Sequence, residues 1–177
     1  MRIIKNKPLL LRKNELKNFI ENIFIRDGNY IRRSIITGIA LFFTVSSAVI
    51  AIELIKFDPI SIIELDKSIK IEIRDIILSS ILAPAIETCL MAIIFSVSRK
   101  ISSMPEQVFV VAVVVMAILG HRHGAYTMFS VTIAFTLFSV QYMVIYNRIG
   151  LAGALLGVFL SHSVNNLIAL IIMMLCQ

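Results

Sequence analysis

The chain has 177 residues, of which 58% are hydrophobic and only 16% charged. Soluble domains are about 45–50% apolar and about 25% charged, and a domain of this size leaves roughly a third of its surface in water. This apolar excess therefore excludes a water-soluble globular enzyme, a coiled coil and a disordered tail. The length suits about four to six helices of the size that crosses a bilayer, so the composition predicts one integral membrane domain.

The first predicted element is a basic, amphipathic N-terminal segment, residues 1–33. Its apolar side chains recur at helical spacing with charged residues between them: Leu16, Phe19, Ile20, Ile23 and Phe24. This pattern is typical of a helix lying on a membrane surface. A helix packed against the cytosolic end of the bundle fits the same pattern nearly as well. No secretory signal precedes the first apolar run, so we expect that run to stay as a membrane anchor.

Five apolar segments follow, and together they predict a membrane domain over residues 34–177. They are residues 34–55, 76–98, 107–121, 125–146 and 150–176. The third is about 15 residues long, which is short for a full span and favours a tilted or partly inserted helix. The predicted fold is all-α: a polytopic helix bundle of about five transmembrane helices, with the N-terminal amphipathic helix beside it.

The basic residues predict the orientation of this bundle. Twelve Lys and Arg residues belong to the N-terminal segment and to the turns on the same side, against five on the opposite side. Because basic residues concentrate on the cytoplasmic side, we expect a cytoplasmic N-terminus. The net charge of +6 then reflects orientation and contact with anionic lipid. No basic patch with interleaved aromatic residues is present, so nucleic acid is not an expected partner.

Few ionisable or amide side chains fall inside the apolar segments, and those few are the candidate functional residues. An ionisable group at bilayer depth costs at least about 2.5–3.5 kcal/mol, so it indicates function by default. Glu87 lies near the middle of the second segment and His162 near the middle of the fifth. Asn166 follows His162 by one helical turn, on the same face. His121 closes the third segment; His123, two residues later, would point to a different face of a helix.

Pro84 precedes Glu87 by three residues. A proline removes a backbone donor and loosens a helix, so it would free a carbonyl group and make room beside the carboxylate. Prolines are also tolerated in membrane helices without any function. The neighbouring carboxylate favours a functional role here.

Three chemistries and one structural role fit these residue types. The side chains could activate water for hydrolysis, with Glu or His as general base and His or Asn donors facing an oxyanion. Glu87, His121 and His162 could instead bind zinc. A carrier could use them to relay protons, although only one buried acid is present and no symmetry-related pair of broken helices is visible. The structural alternative is a polar cluster that fixes helix packing, at about 0.6 kcal/mol per contact.

The order of the motifs resembles the CAAX protease and bacteriocin-processing (CPBP) family of intramembrane proteases over about residues 76–170. The run from Ala83 to Ala92 resembles the family's first motif, which is a pair of Glu, three residues and Arg, shortly after Pro. The run Ala117-Ile118-Leu119-Gly120-His121 is similar to the second, Phe-x3-His. The run His162-Ser163-Val164-Asn165-Asn166 matches the third, which is His, three intervening residues, and then Asn or Asp.

The chain departs from these motifs at three positions. Thr88 stands where the second Glu belongs, Ala92 where the Arg belongs and Ala117 where the Phe belongs. Removing one member of a buried ion pair strands a charge and costs about 3–5 kcal/mol, whereas replacing both can be neutral. The joint loss of Glu and Arg is therefore what a folded protein would show if those two side chains pair.

The resemblance implies catalytic roles for four residues and no required cofactor. Glu87 and His121 would activate water, and His162 with Asn166 would stabilise the oxyanion. The expected function is an intramembrane endopeptidase that cleaves a peptide or protein tail delivered at the membrane, in the cell membrane of a bacterium. The alternative is a non-catalytic member of the family that acts in bacteriocin immunity or membrane-protein interaction, which Thr88 and Ala92 favour.

Overall fold

The computed structural model describes residues 29–56, 72–121 and 125–175, and these form five helices. The helices are α1 (Tyr30–Lys56), α2 (Ile73–Ile101), α3 (Pro105–Gly120), α4 (Ala125–Ile149) and α5 (Leu151–Leu175). The described ranges contain no strand. Each predicted apolar segment corresponds to one helix, so the all-α prediction is confirmed. The predicted N-terminal amphipathic helix falls mostly on residues 1–28, which lie outside the described residues.

Four of the helices, α1, α2, α4 and α5, are long and apolar enough to cross a membrane. In hydrocarbon the backbone finds no water to bond, so an apolar segment satisfies its polar groups by forming a helix. The exception is α3, whose 16 residues rise only about 24 Å, against a hydrocarbon thickness of about 30 Å. The predicted shortness of the third segment is therefore confirmed.

Helix α5 holds the bundle together, because it packs against α1, α2 and α4, while α3 lies against α2 and α4. The α1–α5 contact is close because Gly38 has no side chain. A Cβ atom at this position would lie 2.5 Å from the carbonyl oxygen of Ser161. Small residues of this kind let membrane helices approach each other.

Aromatic side chains fill the core between α2, α3 and α4. The Phe95 ring lies 4.9 Å from that of Phe109 and 5.4 Å from that of Tyr142, both in edge-to-face geometry. All three side chains are buried. Offset and edge-to-face pairs add about 0.5–1.5 kcal/mol each to the burial of their area, so this cluster fixes how the three helices are rotated.

The connection between α4 and α5 is the single residue Gly150, whose φ of 90° lies in the left-handed region. Its amide donates to the Tyr146 carbonyl at 2.9 Å. Only glycine adopts this conformation without steric cost, and the sharp reversal lets α5 start at once. The reversal sets which residues of α5 lie level with those of α2 and α4.

Candidate active site

Glu87 lies at the centre of α2, and its carboxylate faces two histidines from other helices. Nε2 of His162, on α5, is 3.3 Å from Glu87 Oε2, and Nε2 of His121, at the end of α3, is 3.8 Å from Glu87 Oε1. Three segments that are distant in the sequence therefore deliver one acid and two imidazoles to one place. The hydrolase hypothesis requires Glu87 and His162 to lie within reach of a shared water, and the observed distance satisfies that requirement.

The accessibility of these three side chains is graded. The His162 side chain is 5% exposed, that of Glu87 19% and that of His121 36%. His162 is enclosed by aromatic rings of α4, with its centroid 4.6 Å from Phe138 and 5.3 Å from Phe135. A substrate would therefore approach from the His121 side, and His162 would form the fixed inner wall.

The end of α3 sets the tautomer of His121. Both its backbone N–H and its Nδ1 contact the Ala117 carbonyl oxygen, at 3.0 and 2.9 Å. Because a carbonyl oxygen only accepts hydrogen bonds, Nδ1 carries the hydrogen of the neutral ring, and this assigns Nε2 as an acceptor. A water molecule beside Glu87 and His121 would thus meet two acceptors, donate to both, and keep its lone pairs for attack.

The fourth predicted residue, Asn166, lies one turn beyond His162 and makes a different contact. Its Nδ2 donates to the Ser79 carbonyl oxygen of α2 at 2.8 Å, and its Oδ1 accepts from Asn165 at 3.2 Å. One N–H of the amide is left for another acceptor. The structure thus brings Glu87, His121 and His162 together and places Asn166 one turn away, anchored to α2.

The Ser79 carbonyl is available to Asn166 because of Pro84. Residues Leu78–Leu82 form a π-helical turn, in which the Ala83 N–H bonds to the Leu78 carbonyl. The next donor in that ladder would be the nitrogen of Pro84, which has no hydrogen. The prediction that Pro84 frees a carbonyl is confirmed, and the freed group is bonded by Asn166. Single π-turns of this kind are frequent at functional sites.

A buried polar network, which the sequence analysis did not predict, lies next to His162. Gln141 of α4 donates to the Ser161 hydroxyl at 2.7 Å, and that hydroxyl donates to the Ser34 carbonyl of α1 at 2.7 Å. All three residues are buried. The sequence feature that indicates such a network is Gln141 in the middle of an apolar span, because a buried amide in a membrane requires hydrogen-bond partners. The network links α1, α4 and α5 at the residue next to His162.

The three residues that depart from the family motifs, Thr88, Ala92 and Ala117, fit the packing around them. Thr88 is 1% exposed, and its hydroxyl has no partner among the described residues. Ala92 packs against the apolar core, and Ala117 belongs to it. A Glu at position 88 without an Arg at position 92 would bury an unpaired charge in this core. Thr88 and Ala92 together avoid that cost.

The described residues contain no group of three or more His, Cys, Asp and Glu side chains arranged to hold a metal ion. Zinc bonds of about 2.0–2.1 Å to His nitrogen and 2.0–2.2 Å to carboxylate oxygen would require the three side chains to converge on one point. The zinc alternative stays a prediction. His123 lies outside the described residues.

No protein family profile, curated protein or solved structure matches this chain. The CPBP resemblance and the catalytic roles drawn from it therefore stay predictions.

Proposed function

We propose that this chain is an intramembrane endopeptidase in which Glu87 and His121 activate a water molecule. The observation that supports this proposal is the Glu87 carboxylate with an imidazole Nε2 on either side, at 3.3 and 3.8 Å. A pure packing cluster does not need an acid at mid-span, where an ionisable group is costly. Hydrolysis needs a base, a positioned water and oxyanion donors. Glu87 would be the base, Glu87 and His121 would hold the water, and His162 and Asn166 would be the donors.

The first step is attack on the scissile carbonyl. Water donates one hydrogen to Glu87 and the other to His121 Nε2. Its oxygen forms a bond to the carbonyl carbon while one proton moves to the Glu87 carboxylate. The carbonyl π electrons move to oxygen. Once Glu87 is protonated, the N–H of His162 Nε2, which faced the carboxylate at 3.3 Å, donates to this oxyanion together with the spare N–H of Asn166. Removing one such donor typically lowers the rate about 10²–10³-fold.

The second step breaks the peptide bond. The oxyanion electrons re-form the carbonyl, the C–N bond breaks, and Glu87 returns its proton to the leaving nitrogen. The products are a carboxylic acid and an amine, and Glu87 is again a carboxylate. No cofactor is required for this sequence, because each proton taken from water is held by Glu87 until it is returned.

The substrate class follows from where the cluster lies. Glu87 is at the middle of a helix that is long enough to cross the membrane, and its neighbour Ile86 is 52% exposed. A peptide that reaches Glu87 passes along an apolar helix face, so the substrate is an apolar peptide or a protein tail delivered at the membrane. A bacteriocin precursor or a C-terminal sorting tail has this character.

The proposed setting is the cell membrane of a bacterium, with the N-terminus in the cytoplasm. The excess of Lys and Arg at the N-terminal side supports this orientation. Reporter fusions test it: we expect a cytoplasmic reporter to be active at the N-terminus and an exported reporter to be active at the C-terminus. The reverse pattern would refute the orientation without affecting the chemistry.

The test of the function is cleavage, in cells, of a peptide precursor encoded beside this gene. Wild type is compared with Glu87→Gln, His121→Ala and His162→Ala at matched membrane levels, and with Glu106→Gln as the control. Glu106 is an exposed acid in the first turn of α3. Cleavage that is lost in the three site variants and kept in the control would support the protease. A cellular phenotype that survives all three site substitutions, without cleavage, would support the immunity or interaction role instead.

A further inference from the structure

A groove separate from the Glu87 cluster opens where α2 and α4 end and α5 begins. It has a volume of about 560 Å³. Its apolar lining includes Ile93 and Phe95, and its polar lining includes Arg99, Lys100, Tyr142 and Tyr146. None of the lining residues belongs to the candidate active site. The groove combines two cations with apolar walls in a protein that spans a membrane.

Arg99 is held in position within this groove without a carboxylate partner. Its Nη1 donates to the Tyr146 hydroxyl at 3.0 Å, and its guanidinium lies 5.6 Å from the Tyr146 ring centroid and 5.9 Å from that of Phe95. Over residues 72–121 and 125–175, neither Arg99 nor Lys100 is ion-paired with an acid. Four of the five guanidinium N–H groups are thus left for a ligand, so the groove keeps its positive charge.

Tyr142 forms part of the enclosed wall of the groove. It lines the groove and is 0% exposed. Its hydroxyl has no hydrogen-bond partner within the part of the chain that the structure describes. Because this hydroxyl is enclosed, the positive charge that a ligand in the groove would meet comes from Arg99 and Lys100.

We infer that this groove binds the phosphate group of an anionic membrane lipid, with an acyl chain along its apolar wall. The ligand needs acceptor oxygens and negative charge for Arg99 and Lys100, and an apolar portion for Ile93 and Phe95. Basic pockets between transmembrane helices bind such headgroups. Ile93 is 59% exposed and Leu151, another lining residue, 52%. The groove therefore opens sideways to the bilayer, which favours a lipid over a peptide tail.

The experiment measures lipid binding to the full-length protein in detergent by native mass spectrometry. The probes are phosphatidylglycerol and, as the uncharged match, phosphatidylcholine. We expect wild type to bind phosphatidylglycerol about 30-fold more tightly, which corresponds to about 1 kcal/mol from each of the two basic residues near the headgroup. Lys100→Gln, at an exposed position, and the pair Arg99→Gln with Lys100→Gln would progressively remove this preference.

Arg74→Gln is the control, because Arg74 is an exposed cation near the opposite end of α2, and it should leave the preference unchanged. An unchanged preference in both Lys100→Gln and the double variant would overturn the inference. Two competitors separate the sources of the anion. Displacement of phosphatidylglycerol by equimolar inorganic phosphate would show that the groove binds small anions and does not recognise a lipid. Displacement by a short peptide with a free C-terminus, but not by its amide, would assign the groove to peptide tails.

Discussion

Asn166 of α5 donates a hydrogen bond to the Ser79 carbonyl of α2, which in the π-helical ladder would face the nitrogen of Pro84. The contact is 2.8 Å long and joins the two helices that carry Glu87 and His162. Pro84 removes a backbone hydrogen bond from α2, and the Asn166 amide on the neighbouring helix replaces it. The break in α2 and the packing of α5 depend on each other.

This relationship predicts an energetic coupling between Asn166 and Pro84. Asn166→Ala should lower the free energy of unfolding by about 1–2 kcal/mol, because it leaves the Ser79 carbonyl unsatisfied. In a Pro84→Ala background the restored N–H can bond to that carbonyl, so the same substitution should cost less. Unfolding of the single and double variants in detergent measures the difference, expected between about 0.5 and 3 kcal/mol. Strict additivity would contradict the proposed contact.

Glu87→Gln should lower the cleavage rate at least about 10²–10⁴-fold, the usual contribution of a general base, while the helical content is unchanged. The amide keeps the size of the side chain but cannot accept the proton of water. Cleavage of the precursor in cells and circular dichroism of the purified protein measure the two effects. Glu106→Gln should match wild type in both, and a Glu87→Gln variant that cleaves normally would refute the mechanism.

His121→Asn separates the structural role of this residue from its chemical role. The shorter amide can replace Nδ1 and keep the hydrogen bond to the Ala117 carbonyl, but it offers nothing in place of Nε2. We expect normal membrane levels and thermal stability with cleavage reduced to the level of His121→Ala. Equal cleavage by His121→Asn and wild type would show that only the Ala117 contact matters.

Gly38→Ala should loosen the α1–α5 contact that lies behind His162. The added Cβ would meet the backbone oxygen of Ser161 at 2.5 Å, and overpacking of this kind costs about 1–3 kcal/mol. Gly120→Ala is the matched control, because no atom lies within 4 Å of a Cβ there, and alanine favours the helix by about 1 kcal/mol. Thermal unfolding in detergent compares the two variants, and equal stabilities would contradict the close packing.

A chelator distinguishes the proposed water mechanism from the zinc alternative. We expect cleavage by the purified protein to be unchanged after treatment with EDTA or 1,10-phenanthroline, because the proposed mechanism has Glu87 and His121 activate water directly. Activity that is lost with chelator and restored by added zinc would assign Glu87, His121 and His162 as metal ligands instead. Magnesium or calcium added in place of zinc controls for effects on the lipid.

The candidate site could be predicted from the sequence to the level of residue types. Glu87 and His162 stand out because charged or titratable groups are rare in apolar spans, and Pro84 signals a freed carbonyl because its nitrogen has no hydrogen. The partner of that carbonyl could not be predicted, since Ser79 and Asn166 are 87 residues apart. The Gln141–Ser161–Ser34 network was missed for the same reason.

Composition and span length alone determined that this is an all-α membrane protein with five apolar helices, because hydrocarbon leaves the backbone no other way to satisfy its polar groups. Only the tertiary structure decided which polar side chains meet. The rotation of each helix follows from the sharp turn at Gly150, which is local, and from close packing at Gly38 and in the aromatic core, which join residues far apart in the chain. That packing sets His162 at 3.3 Å from Glu87, directs Asn166 to Ser79 and opens the cationic groove at the other end of α2.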